Sequence, residues 1–205
     1  MAISLIKGQK IDIGLSKITL GLGWDPNEGT GYDFDLDASA FLLAANSVLA
    51  KEEHFIFYNN LCGKGHSGTQ CKDTCTAGDY GIRHTGDDPD GKSSDGDDDE
   101  SLIVDLSKVP AEIEEINFVV TIADFERRKQ NFGQVRNSYI RIVDDGNGQE
   151  IAKYELAEDF SIETGVEFGR LYKRNGEWKF EASGIGYKED LSFFLSKYFK
   201  GEVIK

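Results

Sequence analysis

Three carboxylates alternate with apolar residues in the segment Asp33-Phe34-Asp35-Leu36-Asp37. On a β-strand, the side chains of Asp33, Asp35 and Asp37 would share one face, while Phe34 and Leu36 would point towards a core. Three like charges on one face repel one another unless a cation neutralises them. Because Ca²⁺ takes about six to eight oxygen ligands from carboxylates, carbonyls and water, this segment predicts a calcium site.

A second acidic run occupies residues 87–100, where the only basic side chain is Lys92. Gly86, Gly91 and Gly96 would let the backbone bend and aim carbonyl oxygens inward. The acidic side chains of this run are Asp87, Asp88, Asp90, Asp95, Asp97, Asp98, Asp99 and Glu100. The run predicts further calcium ligands. The alternative is a purely solvated loop, because charge runs of this kind usually repel and stay disordered.

Neither acidic segment has the spacing of an EF-hand. Counting from Asp33 places Ala38 where that motif needs glycine, and counting from Asp95 places Glu100 there. Asp25 precedes the first segment closely enough to fold back onto the same face. A ligand set made only of oxygen favours Ca²⁺ over zinc or copper, with Mg²⁺ as the second choice.

Cys62, His66, Cys71 and Cys75 have the composition of a closed zinc site, with three thiolates and one imidazole. Their order matches no familiar zinc motif, so three interpretations stay open: a Zn²⁺ site, a disulfide between two of the cysteines, or free thiols. An odd number of cysteines excludes a closed disulfide framework and favours a reducing compartment.

The composition limits the class of protein. The chain has 205 residues, a net charge of -14 and 39% hydrophobic residues, which is enough to fill a core. Strong negative charge repels nucleic acid and anionic lipid and attracts cations. No apolar stretch approaches the roughly 20 residues of a membrane span, and the first residues lack the apolar core of a signal peptide. We therefore expect a soluble cytoplasmic protein that neither inserts into a membrane nor binds nucleic acid.

The apolar residues mostly recur with a period of two, which is typical of β-strands. Strands are predicted at 17–24, 54–59, 101–106, 116–122, 137–143, 150–156, 166–173 and 177–182. Asn175-Gly176 predicts a tight hairpin turn. One helix is expected at 125–132, which is rich in long polar side chains. Another is expected at 190–199, where apolar residues recur at helical spacing. The predicted fold is all-β, a β-sandwich of two mainly antiparallel sheets with one or two short helices, including a C-terminal helix.

Several segments resemble, in order, the blocks of the TerD family of tellurium-resistance and stress-response proteins. The most specific is GLGWDPNEGTGYDFDLDASAF at 21–41, and others are FIFYNN at 55–60, HTGDD at 84–88, GDDDE at 96–100 and FGQVRNSYIRIV at 132–143. The resemblance covers nearly the whole chain and implies one domain, 1–205, with a long acidic and cysteine-containing loop at 61–100. Its first part, 61–83, is longer than is usual in the family.

The resemblance also implies a function. It implies a non-enzymatic, cytoplasmic stress protein that carries two Ca²⁺ ions and has other Ter-type proteins as partners, in complexes at the membrane surface. The implied calcium ligands are Asp25, Asp33, Asp35 and Asp37 in the first block and Asp87, Asp97, Asp98, Asp99 and Glu100 in the second. Two alternatives stay open: a metal-dependent phosphate hydrolase, since dense carboxylates can hold two metals around a phosphate, and a Ca²⁺-independent interaction module.

Overall fold

The computed structural model describes residues 3–4, 7–11, 14, 16–49, 51–63, 80–92 and 98–200. Within these residues, two β-sheets are formed by thirteen strands. The strands are β1 Ile3–Ser4, β2 Lys10–Ile11, β3 Lys17–Gly23, β4 Leu36–Leu43, β5 Phe55–Ile56, β6 Ile82–His84, β7 Glu100–Asp105, β8 Glu115–Ile122, β9 Tyr139–Asp144, β10 Gln149–Glu155, β11 Gly165–Arg174, β12 Glu177–Glu181 and β13 Ile185–Tyr187.

The first sheet has the strand order β1-β10-β9-β3-β7-β6. Its pairs are antiparallel except for β1 and β10, which run parallel. The apolar alternation of β3 explains its orientation, since Ile18, Leu20 and Leu22 are all buried between the sheets. The predicted strands at 17–24, 101–106, 137–143 and 150–156 all belong to this sheet.

The second sheet has the order β2-β12-β11-β8-β4-β5, and β13 pairs with β11 as well. All of its pairs are antiparallel. The hairpin between β11 and β12 turns at Asn175 and Gly176, whose φ angles of 56° and 81° are those of the predicted tight turn. The predicted sandwich of two mainly antiparallel sheets is confirmed.

Three short helices accompany the sheets: α1 Phe125–Arg128, α2 Leu156–Asp159 and α3 Leu191–Tyr198. The C-terminal helix is confirmed, and Asp190 caps it by accepting a hydrogen bond from the Phe193 amide. The helix expected at 125–132 is shorter, because Lys129 adopts a left-handed backbone with φ 53°. α2 was not predicted, since a single turn carries no detectable periodicity.

The apolar side chains form two main layers. One layer fills the space between the sheets, where Leu36, Ala38 and Leu42 of β4 are buried. The other lies on the outer face of the second sheet, where Phe41 packs with Phe194 of α3. Every residue of β4 is therefore buried, whichever way its side chain points. Among the described residues, no helix is long and apolar enough to cross a membrane.

Candidate cation site

Three carboxylates from the two acidic segments meet at the start of β4. Asp35 immediately precedes β4, Asp37 is its second residue, and Asp87 follows β6. One oxygen from each of them lies within 4.8 Å of the others. Residues about fifty positions apart in sequence are thus brought together by the packing of one sheet on the other.

Asp37 is the most constrained of the three. Its side chain is only 5% exposed, and within the described residues it makes no hydrogen bond and no ion pair. Burial, followed by the nearby carboxylates of Glu100, Asp35 and Asp87, raises the pKa of Asp37 to about 9. A buried carboxylate without a donor or counter-ion is costly unless it is protonated or binds a cation. The donor set therefore fits a hard cation that takes oxygen ligands.

Asp35 differs because it has a fixed cationic neighbour. The Arg128 guanidinium, at the end of α1, donates from Nη2 to Asp35 Oδ2 at 3.1 Å and from Nη1 to the Asp33 carbonyl at 3.3 Å. Burial still raises the pKa of Asp35, although Arg128 opposes that effect. α1 thus holds the first acidic segment in place by one side chain and neutralises part of its charge.

Glu100 is buried beside the cluster and joins the two sheets. Its Oε2 accepts a hydrogen bond from the Ala38 amide at 2.8 Å, and its Oε1 accepts one from the Asp88 amide at 3.2 Å. The imidazole of His84 lies 3.3 Å from Oε2 through its Nε2, which is also 3.1 Å from the Ala38 carbonyl. His84 Nδ1 accepts a hydrogen bond from the Gly86 amide, so Nε2 carries the proton and donates to that carbonyl.

The other two predicted ligands of the first block, Asp33 and Asp25, lie outside the cluster. Asp33 is exposed, and its carboxylate is 3.5 Å from Lys92 Nζ. It leaves the shared face that alternation predicts because β4 begins only at Leu36, so the backbone before it does not follow strand geometry. Asp25 accepts a hydrogen bond from Asn137 Nδ2 at 2.8 Å.

The carboxylates of Asp98 and Asp99, in the second run, accept hydrogen bonds away from the cluster. Asp98 accepts from Arg141 Nε at 2.8 Å and from the Tyr139 hydroxyl at 3.1 Å. It lies so close over Gly21 that a Cβ there would clash with its carboxylate. Asp99 accepts a hydrogen bond from the Trp24 amide at 2.8 Å. Both side chains anchor the loop to the first sheet, and Asp97 lies outside the described residues.

The sequence interpretation missed two residues at the site, His84 and Arg128. His84 ends β6 and is buried. Its position two residues before Gly86 in the HTGDD block was the available signal. Arg128 reaches the site only through tertiary packing, and no local pattern marks it.

Cys62 is buried and disulfide-bonded. The other residues of the zinc interpretation, His66, Cys71 and Cys75, lie outside the described residues. Because a disulfide-bonded cysteine has no thiolate to offer a metal, the disulfide of Cys62 argues against a zinc ion held by this set.

Comparison with known proteins identifies close relatives over nearly the whole chain. The TerD domain matches residues 1–198. General stress protein 16U of Bacillus subtilis is 48% identical over 204 residues, which cover 97% of each chain. Tellurium resistance protein TerD of Serratia marcescens is 45% identical over 203 residues, again 97% of each chain.

A solved structure shares the fold. It is a homologue of telluride resistance protein (TerD) from Streptomyces coelicolor A3(2), with a TM-score of 0.69 and 17% identity. The similarity covers 89% of this chain and 96% of that chain. At this identity the likeness supports the sandwich architecture alone.

Proposed function

The chain belongs to the TerD family, and from this premise we propose that it is a stress-resistance protein that acts by binding Ca²⁺, without catalysis. The observation that carries the proposal is the buried Asp37 carboxylate, which has no partner among the described residues and lies beside Asp35 and Asp87. Relatives named for general stress and for tellurium resistance support the physiological part of the proposal.

The number and type of ligands support Ca²⁺ over smaller or softer cations. Ca²⁺ binds oxygen at about 2.3–2.6 Å, so two ligands on opposite sides of the ion lie about 4.6–5.2 Å apart. The three carboxylate oxygens lie within 4.8 Å of one another, so one Ca²⁺ ion could contact all three. Mg²⁺ keeps several waters and usually takes only one or two protein carboxylates, so three converging carboxylates favour Ca²⁺.

We confine this proposal to one ion at Asp35, Asp37 and Asp87. Asp98 and Asp99, which the family resemblance implies for a second ion, already accept hydrogen bonds from Arg141 and from the Trp24 amide. A second ion stays a prediction.

Bound Ca²⁺ would connect the two acidic segments, because Asp35 and Asp37 belong to the first and Asp87 to the second. Glu100 and Asp88 continue this connection through backbone hydrogen bonds. A cation would therefore fix the position of the loop after β6 relative to β4. We propose that the surface ordered in this way contacts other Ter-type proteins in the cytoplasm.

Metal-dependent phosphate hydrolysis is the weaker alternative. Such chemistry uses cationic side chains to bind the phosphate. Arg128, beside the cluster, is engaged by Asp35, and Lys92 of the second acidic run is engaged by Asp33 and Asp90.

A thermal melt with and without Ca²⁺ tests this function. Binding to the folded state alone stabilises it by about 2.7 kcal/mol when free Ca²⁺ is one hundred times Kd. For a chain of this size we expect chelation to lower Tm by roughly 5–10 °C. Equal melting temperatures in Ca²⁺ and in chelator would refute the proposal, as would an equal or larger stabilisation by Mg²⁺ alone.

A further inference from the structure

An apolar groove of about 420 Å³ runs between the C-terminal helix and the edge of the second sheet. None of its lining residues belongs to the acidic cluster. Its apolar walls are Leu49, Phe55, Phe57, Leu195 and Phe199. Leu195, on the C-terminal helix, is 38% exposed, so this wall of the groove is open to solvent.

The floor of the groove is built from stacked aromatic rings. Phe55 stacks on the buried Phe41 with ring centroids 4.5 Å apart and on Phe57 with centroids 4.3 Å apart. Phe41 also contacts the ring of Tyr198 in α3 at 4.9 Å. The rings are held by the core on one side, so the groove exists before any ligand enters it.

The polar residues of the groove are acidic. Glu52 and Glu53 line it, and within the described part of the chain neither forms an ion pair. The adjacent lysines, Lys51 and Lys200, are exposed but do not line it. An apolar floor with free carboxylates at its rim complements a ligand that carries both apolar and cationic groups.

Charge and hydrogen bonding disfavour three other occupants: a second copy of the chain, an anionic lipid surface and an added β-strand. A second copy would bring its own Glu52 and Glu53 and a net charge of -14, and an anionic lipid surface would be repelled by the same charges. Addition of a strand to β5 is disfavoured, because the Phe55 carbonyl already accepts a hydrogen bond from Asn60 Nδ2 at 2.6 Å and the Phe55 amide donates to the Glu52 carbonyl.

We propose that this groove binds a cationic amphipathic helix of a partner protein. Apolar side chains on one face of that helix enter the groove between Leu195 and Phe57, and its lysines or arginines pair with Glu52 and Glu53. This interaction does not depend on the calcium site, so it stands or falls independently of the proposed function.

The test uses a synthetic helical peptide with leucines at i, i+3, i+4 and i+7 and lysines elsewhere, with a matched peptide that has glutamates in place of the lysines. Binding to the full chain is measured by fluorescence anisotropy. The variants are Glu52→Gln with Glu53→Gln, and separately Leu195→Glu. The control carries Glu126→Gln with Glu158→Gln, which removes the same charge from exposed positions elsewhere.

We expect the lysine peptide to bind and each groove variant to lose at least about fivefold in affinity. The control variant should stay within about twofold, and the glutamate peptide should not bind. Thermal melts show whether each variant folds. If Leu195→Glu does not fold, the affinity of the variant with Glu52→Gln and Glu53→Gln decides the test. No binding, or an equal loss in the control, would overturn the proposal. The proposal would also be overturned if the chain formed a dimer that Leu195→Glu abolishes, or if it bound anionic vesicles and not the lysine peptide.

Discussion

The carboxylate of Glu100 accepts a hydrogen bond from the backbone amide of Ala38 at 2.8 Å, although the two residues belong to different sheets. Glu100 pairs within its own sheet with Leu22 of β3, and Ala38 pairs with Val120 of β8. The Ala38 carbonyl is held by His84 on the same edge. Side chains from one sheet thus satisfy the open edge of β4 beside the acidic cluster.

Replacing Glu100 by alanine should destabilise the protein by at least about 2 kcal/mol, because the buried amides of Ala38 and Asp88 both lose their acceptor. Urea unfolding in chelator measures this loss without a contribution from Ca²⁺. Glu158→Ala, at an exposed position, is the control and should change the free energy of unfolding by no more than about 0.5 kcal/mol. Equal effects of the two changes would mean that the Glu100 bridge contributes nothing.

Two neighbouring arginines of α1 should differ in their effect on the calcium-free protein. Arg128 is largely buried against Asp35, whereas Arg127 forms an exposed ion pair with Asp124. Arg128→Gln removes the counter-ion of a desolvated carboxylate, so we expect a loss of roughly 2 kcal/mol in chelator. Arg127→Gln should cost much less, because water screens an exposed ion pair. Indistinguishable melting temperatures of the two variants would contradict the counter-ion role.

The C-terminal helix should depend on one buried hydroxyl. Tyr198 donates to the Glu167 carboxylate and accepts from Asn117 Nδ2 at 2.7 Å. Burial raises the pKa of Tyr198, so its hydroxyl stays protonated and can donate at neutral pH. Tyr198→Phe should destabilise by about 1–3 kcal/mol, because two buried polar groups lose a partner.

Hydrogen exchange would localise that effect to α3 and the strands beneath it. Ser196→Ala is the matched change on the exposed side of the same helix and should leave protection unchanged. Unaltered exchange in α3 of Tyr198→Phe would show that apolar packing alone holds the helix.

The calcium-free protein should lose stability as the pH rises. An unfolded aspartate has a pKa of about 3.9, and Asp37 in the folded protein has a pKa of about 9. Between these values the folded state binds more protons at this group, so Asp37 lowers stability by up to about 1.4 kcal/mol per pH unit. In chelator, Asp37→Asn should make the fall in Tm between pH 5 and 8 less steep. Part of the fall should remain because of Asp35. Parallel profiles of Tm against pH would contradict this.

Local patterns predicted much of the fold. The alternation in KITLGLG matches β3, and Asn175-Gly176 turns the hairpin as expected. These elements follow from short-range sequence because burial of alternate side chains and positive φ angles are local constraints. α2 was not predicted, because four residues are too few to show a helical period.

The composition of the site was only partly predictable. Alternation placed Asp35 and Asp37 together, but the meeting of Asp37 with Asp87 depends on how one sheet packs on the other. Asp98 and Asp99 have the same chemistry as the cluster residues, and only their tertiary partners decide that they anchor a loop. Acidic composition indicates a cation site, whereas which carboxylates converge is decided by long-range pairing.

Calorimetric titration of Ca²⁺ into chelator-treated protein tests the central claim most directly, using Asp37→Asn and Asp33→Asn beside the unchanged chain. Each variant removes one negative charge from the same segment, but only Asp37 belongs to the cluster. Affinity depends on the number of charged ligands, so Asp37→Asn should lose at least about tenfold and Asp33→Asn less than about threefold. Absence of binding by the unchanged chain, or equal losses in the two variants, would contradict the account.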